Sequence, residues 1–211
     1  MAGVWKNRSC IGGVGFTNRQ VHVEGQWFHA NYRLILGEID QVLARVDPMQ
    51  VDRLVDAILA AEKVFAVGVG RVLLSLQAIV KRLNHLGVPA WFVGEINEPA
   101  ISRQDLLIIA SGSGETVVPV AIAQVAKRHG AKIAHIGSNT NSSLASLTDL
   151  FVRIPVRTKL DLPDEIFSRQ IMSSLFEQAL LVLGDAVSLS IAERKDIGNI
   201  GSLWRHHANL E

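Results

Sequence analysis

Five short apolar runs, each stopped by glycine, serine or proline, constrain this chain more than any other feature. They are Val64–Val67 before Gly68, Ala90–Val93 before Gly94, Asp105–Ala110 before Ser111, Ala131–Ile136 before Gly137 and Leu150–Ile154 before Pro155. Runs this short, and apolar without alternation, suit strands buried on both faces. Such strands belong to parallel sheets covered by helices. Helical spacing fills two of the intervals, over Leu73–Leu86 and Thr116–Arg128. Upstream, Leu34, Ile35, Ile39, Val42, Leu43 and Val46 recur at helical spacing from Asn31 onward. Asp47-Pro48 ends that helix and starts another, with Asp47 as N-cap and Pro48 at the first helical position. Val51, Leu54, Val55, Ile58 and Leu59 form the second helix's apolar face. Downstream, Glu165–Ala192 reads as one long helix with little charge. The predicted fold is α/β: a doubly wound, five-stranded parallel sheet with two N-terminal helices and a long C-terminal helix.

Composition narrows the function classes. The 211 residues suit one domain, and 48% hydrophobic against 19% charged residues exclude a disordered chain. A formal net charge of +1 lacks the basic excess of a nucleic-acid-binding domain, so no nucleic-acid partner is expected. A small phosphorylated ligand remains compatible with it. The single cysteine, Cys10, excludes an intrachain disulfide and a Cys-cluster zinc site. No apolar run approaches the roughly 20 residues of a membrane helix. Lys6, Asn7, Arg8 and Ser9 interrupt any signal-like apolar segment. The expectation is a cytoplasmic protein without a membrane partner. Residues 1–30 hold five glycines and no sustained periodicity, and are expected to be a poorly ordered extension. Trp5 and Trp27 would suit an arm packed on a partner subunit. Residues 31–211 form the predicted domain.

Four segments could carry chemistry. Gly68-Val69-Gly70-Arg71 follows the first strand and resembles the start of a dinucleotide fingerprint. Position 73 is Leu rather than Gly, and Glu95 follows Gly94 instead of closing the second strand. A tight strand-to-helix turn accounts for these glycines, which also let a ligand approach the backbone. Ser111-Gly112-Ser113-Gly114-Glu115-Thr116 lies between an apolar strand and a helix. Backbone N–H groups, a helix start and three hydroxyls are the ingredients of a phosphate site. An ordinary cap, with Ser113 as N-cap, would use the same residues. Glu177 sits on the long helix among apolar neighbours, and is either a solvated surface acid, the reading that the helix alone favours, or a partly desolvated carboxylate suited to take a proton from carbon. At the C-terminus, His206 and His207 point about 100° apart on a helix, which disfavours a shared metal and leaves His207 as a candidate acid or base.

Together these residues resemble the sugar isomerase (SIS) domain family and, within it, the 6-phospho-3-hexuloisomerases. The matching pieces are GVGR at 68–71, RLNHLG at 82–87, VGE at 93–95, SGSGET at 111–116, TKLDLPDE at 158–165, SRQIMSSLFEQ at 168–178 and HANLE at 207–211. The resemblance implies a flavodoxin-like sheet and no metal or organic cofactor. It implies interconversion of D-arabino-hex-3-ulose 6-phosphate and fructose 6-phosphate. It further implies a homodimer or homotetramer with active sites at subunit interfaces. By the same match Ser111, Ser113 and Thr116 hold the phosphate, and Gly70, Arg71, Glu115 and Ser138 complete the substrate-binding set. Glu177 corresponds to the base, and His207 to a histidine reaching a neighbouring subunit's site. Two departures stand out. Val72 and Leu73 replace the family's Ser-Gly on the first turn, removing a hydroxyl and adding bulk. Ile171-Met172-Ser173 replaces Pro-Met-Gly.

Rival readings are an isomerase of another phosphosugar, such as an arabinose 5-phosphate-like ligand, and a catalytically silent SIS module that senses one. Glu177 and His207 favour the enzyme, and Val72 favours altered specificity or sensing. An NAD-binding oxidoreductase is disfavoured by the incomplete fingerprint. Ile166, Phe167, Ile171, Leu175, Phe176, Leu180, Leu181, Val182, Leu183 and Val187 make the long helix apolar over more than one face, which fits either a core helix or a subunit interface.

Overall fold

A computed structural model describes residues 25–207. The elements run α1 (Gln26–Leu43), α2 (Pro48–Ala60), β1 (Val64–Val67), α3 (Arg71–His85), β2 (Ala90–Phe92), β3 (Leu106–Ala110), α4 (Val117–Arg128), β4 (Lys132–Gly137), β5 (Leu150–Arg153) and α5 (Ser174–Arg194), followed by a 3-10 helix at Ile200–His206. The strands form one sheet in the order β2-β1-β3-β4-β5, and all pairs are parallel. The expected α/β architecture is present, with two helices before the sheet and a long one after it.

Side-chain alternation along the strands divides the core in two. Val64, Ala66, Leu106, Ile108 and Ala110 face one side, packed with Leu54 and Ile58 of α2, Leu76 and Leu83 of α3, and Leu180 and Val187 of α5. Phe65, Val67, Leu107 and Ile109 face the other, against Ala123 and Ala126 of α4. Among the described residues the coverage is uneven. Helices α1, α2, α3 and α5 contribute to the first side and α4 to the second. The chain between β2 and β3 is a loop rather than a helix, and its Ile101 joins Trp91 and Val93 in covering the second face.

Asp47 caps α2 as predicted: its Oδ1 accepts from Met49 N at 2.9 Å, and Pro48 opens the helix. Helix α1 begins at Gln26, so residues 26–30 of the predicted extension are helical. The rest of that extension, with Trp5, lies outside the described residues, as do residues 208–211.

Two expectations are corrected. The long helix starts at Ser174, not Glu165. Ile166 instead forms a parallel bridge with Val156, and Met172 adopts a left-handed backbone with φ 54°. The buried carboxylate of Glu38 on α1 accepts hydrogen bonds from Ser168 Oγ (2.7 Å), Arg169 N (2.9 Å) and Gln170 Nε2 (3.0 Å). These donors are thus satisfied from another element, and Phe167 and Ile171, which looked like part of a helix face, point outward. Helix α5 is also long and apolar enough, by length and composition, to cross a membrane, with a mean hydropathy of 1.5, contrary to the reading that no run comes near that. Most of it is buried within the fold, and Glu177 and Asp185 interrupt it.

Because all strands are parallel, their carboxyl ends share one edge. Strand β1 has β2 on one side and β3 on the other, so the chain changes direction there. The loops after β1 and β3 diverge at such a point and open a crevice, where ligands bind in sheets of this kind. GVGR and SGSGET are those two loops.

Candidate active site

The turn after β3 is shaped by its carbonyls. Gly112 O accepts from Ser138 N (2.9 Å) and Asn139 N (3.1 Å), Ser113 O accepts from Asn139 Nδ2 (3.1 Å), and Ser111 O lies 3.0 Å from His135 Nε2. Gly114 N donates to Ser111 O (3.2 Å) and Ser111 Oγ (3.1 Å), and Glu115 N to Ser113 Oγ (3.3 Å). Among the described residues nothing accepts from the N–H groups of Gly112, Ser113 or Thr116. A loop whose carbonyls are satisfied from behind while its N–H groups stay uncommitted is an anion-binding concavity. The N-terminus of α4 adds its dipole, because Thr116 is the N-cap.

The cap itself differs from the simple alternative. Thr116, not Ser113, occupies the cap position, and it makes no side-chain capping bond. Its Oγ1 lies 3.0 Å from Ser111 Oγ. Gly114 is required where it stands. Its φ is +66°, and a Cβ there would fall 2.3 Å from Ser142 Oγ.

The other predicted residues divide into three groups. Ser138 follows β4 against the loop, with its Oγ buried and without a partner among the described residues. The carboxylate of Glu115 accepts from Ser143 N (2.8 Å) and Ser143 Oγ (2.5 Å), which ties the SGSGET loop to the loop after β4. Those bonds from Ser143, the side-chain one first, hold its pKa below the usual carboxylate range; desolvation opposes them, and the charge of Lys159 adds least to the lowering. Gly70 opens α3 at φ 59°, and Arg71, the first residue of α3, pairs through Nε with Glu177 Oε2.

Glu177 lies in the first turn of α5 and is buried. Its Oε1 accepts from Ser173 Oγ at 2.9 Å, and its backbone carbonyl accepts from Ser75 Oγ at 2.9 Å, which docks α3 on α5. Phe176 brings this turn beside the SGSGET loop, with ring carbons 3.8 and 3.9 Å from where a Cβ on Gly112 would lie. Thr158 approaches the same point, with its methyl at 3.3 Å. One crevice therefore gathers Gly70, Arg71, Glu177 and the SGSGET loop. Val72, at the departure from the family pattern, packs on the main core, and its Cγ1 lies 3.1 Å from where a Cβ on Gly68 would be.

His207 is not brought to Glu177 within the chain. It follows the 3-10 helix and stacks on His85, with ring centroids 5.4 Å apart, and contacts Trp204 at 5.2 Å. His85 ends α3 and Arg71 begins it, a rise of about 20 Å. A cleft of about 610 Å³ between α3, α5 and the 3-10 helix is lined by Arg82, His85, Asp185, Trp204 and His207. It holds none of the predicted phosphate ligands, which lie with Glu177 toward the other end of the helix pair.

Sequence reasoning missed His135, Asn139 and Ser142 behind the SGSGET loop, and Ser75 and Ser173 around Glu177. Ser75 carried a signal: it lies four residues after Arg71, on the same helix face. His135 carried none, because one histidine inside an apolar strand resembles any core residue.

The SIS domain family matches residues 57–182, more than half of the chain. A 3-hexulose-6-phosphate isomerase of Mycobacterium gastri is 41% identical over 90% of this chain and 95% of its own length. One from Bacillus subtilis is 38% identical over 84% and 95%. Among solved structures, a hypothetical protein of Methanococcus jannaschii, for which a 3-hexulose-6-phosphate isomerase function has been inferred, superposes with a TM-score of 0.73 at 29% identity, over 86% of this chain and 99% of that one. The chain belongs to the SIS domain family.

Proposed function

We propose that this protein interconverts D-arabino-hex-3-ulose 6-phosphate and fructose 6-phosphate through a 2,3-enediolate. The observation that carries the reading is a buried carboxylate, Glu177, flanked by Arg71 and Ser173 beside an N–H-lined loop. The similarity to 3-hexulose-6-phosphate isomerases over most of the chain supports it.

The residues divide the work. Ser111, Ser113 and Thr116, with the loop N–H groups, take the phosphate, and Ser138 adds a hydroxyl behind them. Holding the far end of the sugar fixes C2 and C3 relative to Glu177. Glu177 takes the proton from C2, and the electron pair of that C–H bond forms the C2–C3 double bond as O3 gains charge. The same carboxyl returns its proton to C3 while O2 loses its own and becomes the carbonyl. Arg71 offers a charged donor to the developing oxyanion. Glu115 acts as a brace rather than a phosphate ligand, since a carboxylate facing phosphate would repel it. His207 of a second copy supplies and accepts the oxygen-bound protons.

The carboxyl edge supports this association. Val69, Ile96, Val117, Phe167, Ile171 and Met172, all on segments that follow strands or precede α5, are exposed there. An apolar rim of this kind suits an interface between copies. The setting proposed is cytoplasmic.

Glu177→Gln is expected to abolish turnover while fructose 6-phosphate still binds, as read by calorimetry, and to abolish exchange of the C2 proton with solvent. Wild-type turnover in a folded variant would sink the assignment. Val72 motivates a second reading, a phosphosugar sensor. Binding without C2 exchange in the wild-type protein would favour it.

A further inference from the structure

We propose that Glu38, on the N-terminal helix, is a positioning residue for the isomerisation: it anchors the segment that sets the start of α5 and so places Glu177. The inference rests on the reading of Glu177 as base.

The inner face of α1 has two buried residues, Val42 and Glu38. Val42 joins the main core, whereas the carboxylate of Glu38 is spent wholly on one neighbouring segment. It accepts from Ser168 Oγ, Arg169 N and Gln170 Nε2, one side-chain, one backbone and one amide donor in consecutive residues. Ser168 Oγ in turn accepts from Gln170 N at 3.0 Å, so the turn is cross-linked around the carboxylate.

Apolar burial does little to hold this segment. Ile166 is buried, but Phe167, Ile171 and Met172 are 61%, 82% and 91% exposed. The carboxylate is therefore the main attachment of residues 168–170. The connection onward is short. Ile171 O accepts from Ser174 N (3.2 Å) and Ser174 Oγ (2.8 Å), and Ser173 O accepts from Glu177 N (3.2 Å). Ser173 Oγ then holds Glu177 Oε1 at 2.9 Å. Two residues, Ile171 and Met172, separate the anchor from the side chain that orients the base. A segment freed at residues 168–170 would carry Ser173 with it, and a shift of an ångström at a base costs rate before it costs binding. The SGSGET loop is held by Ser138, Asn139, His135 and Ser143 rather than by residues 168–170, so ground-state binding is insulated.

Glu38→Ala is expected to lower kcat about 10- to 100-fold while KM stays within about twofold. Trypsin should cut after Arg169 about tenfold faster in the folded protein. Glu38→Gln, whose amide oxygen in the Oε1 position still accepts from Arg169 N while its NH2 donates to Ser168 Oγ, should restore most of kcat. Because Glu38→Ala could fail to fold, Ser168→Ala/Gln170→Ala removes two of the donors from an exposed turn and should lower kcat in the same sense. Unchanged kcat in these variants, or a loss of kcat matched by a rise in KM, overturns the proposal. Glu177→Gln measured alongside separates the two readings. Full activity in it removes the base assignment and with it the target of the positioning. Unchanged kcat in Glu38→Ala beside an inactive Glu177→Gln overturns the positioning role alone.

Discussion

At the residue scale, His135 carries a hydrogen on Nε2, because Ser111 O, 3.0 Å away, can only accept. The ring is buried in the central part of the sheet and touches Phe151, with centroids 5.1 Å apart. Burial pushes its pKa below the ordinary 6.5, and the bond to Ser111 opposes that shift without cancelling it. The unfolded chain binds this proton near pH 6.5, whereas the folded protein resists it. The stabilisation is therefore fully present above 6.5 and is lost as pH falls toward the depressed folded value. His135→Gln removes the titration. In urea melts, the stability gap between wild type and this variant should narrow as pH falls from about 7.5 to about 5.5. A constant gap would show that His135 does not titrate in that window.

At the scale of elements, α3 and α5 pack most closely at Gly184. A Cβ there would lie 2.2 Å from Ile79 Cγ1 and 2.4 Å from Ile79 Cδ1. Ile79 is β-branched and buried on α3, so its rotamer offers little relief. Gly184→Val would gain a few tenths of a kcal/mol in helix propensity and lose about 1–3 kcal/mol to overpacking. The net expectation is destabilisation, read as a lower urea midpoint. An unchanged midpoint would mean that the helices separate at no cost. The packing also explains what could be read from the sequence. The strands were legible because burial on both faces leaves uninterrupted apolar runs, and SGSGET because strand, glycines and hydroxyls are adjacent in the chain. The start of α5 was not legible. The local pattern from Glu165 suits a helix, and a carboxylate 130 residues upstream of Ser168 decides otherwise. The surroundings of Glu177 were half legible: Arg71 came with its motif, but the bond from Ser173 depends on that same non-helical turn.

At the scale of the whole molecule, the parallel pairing of α3 and α5 sets Glu177 and His207 at opposite ends. Arg71 meets Glu177 at one end, and Arg82 lies 3.7 Å from Asp185 further along. The proposed completion of the site by a second copy gives a mixing test. Glu177→Gln chains and His207→Ala chains, each impaired alone, should regain up to about a quarter of wild-type activity after dissociation and reassembly, because only mixed pairs hold one intact site. No gain on mixing would place His207 outside the chemistry. The geometry then has a consequence in concentration. A helix pair about 20 Å long, carrying the base at one end and its helper at the other, acts as a ruler that one chain cannot fold back on itself. Activity per chain would depend on how crowded the chains are. Dilution below the dissociation constant of the assembly would silence the enzyme with every side chain still in its native place.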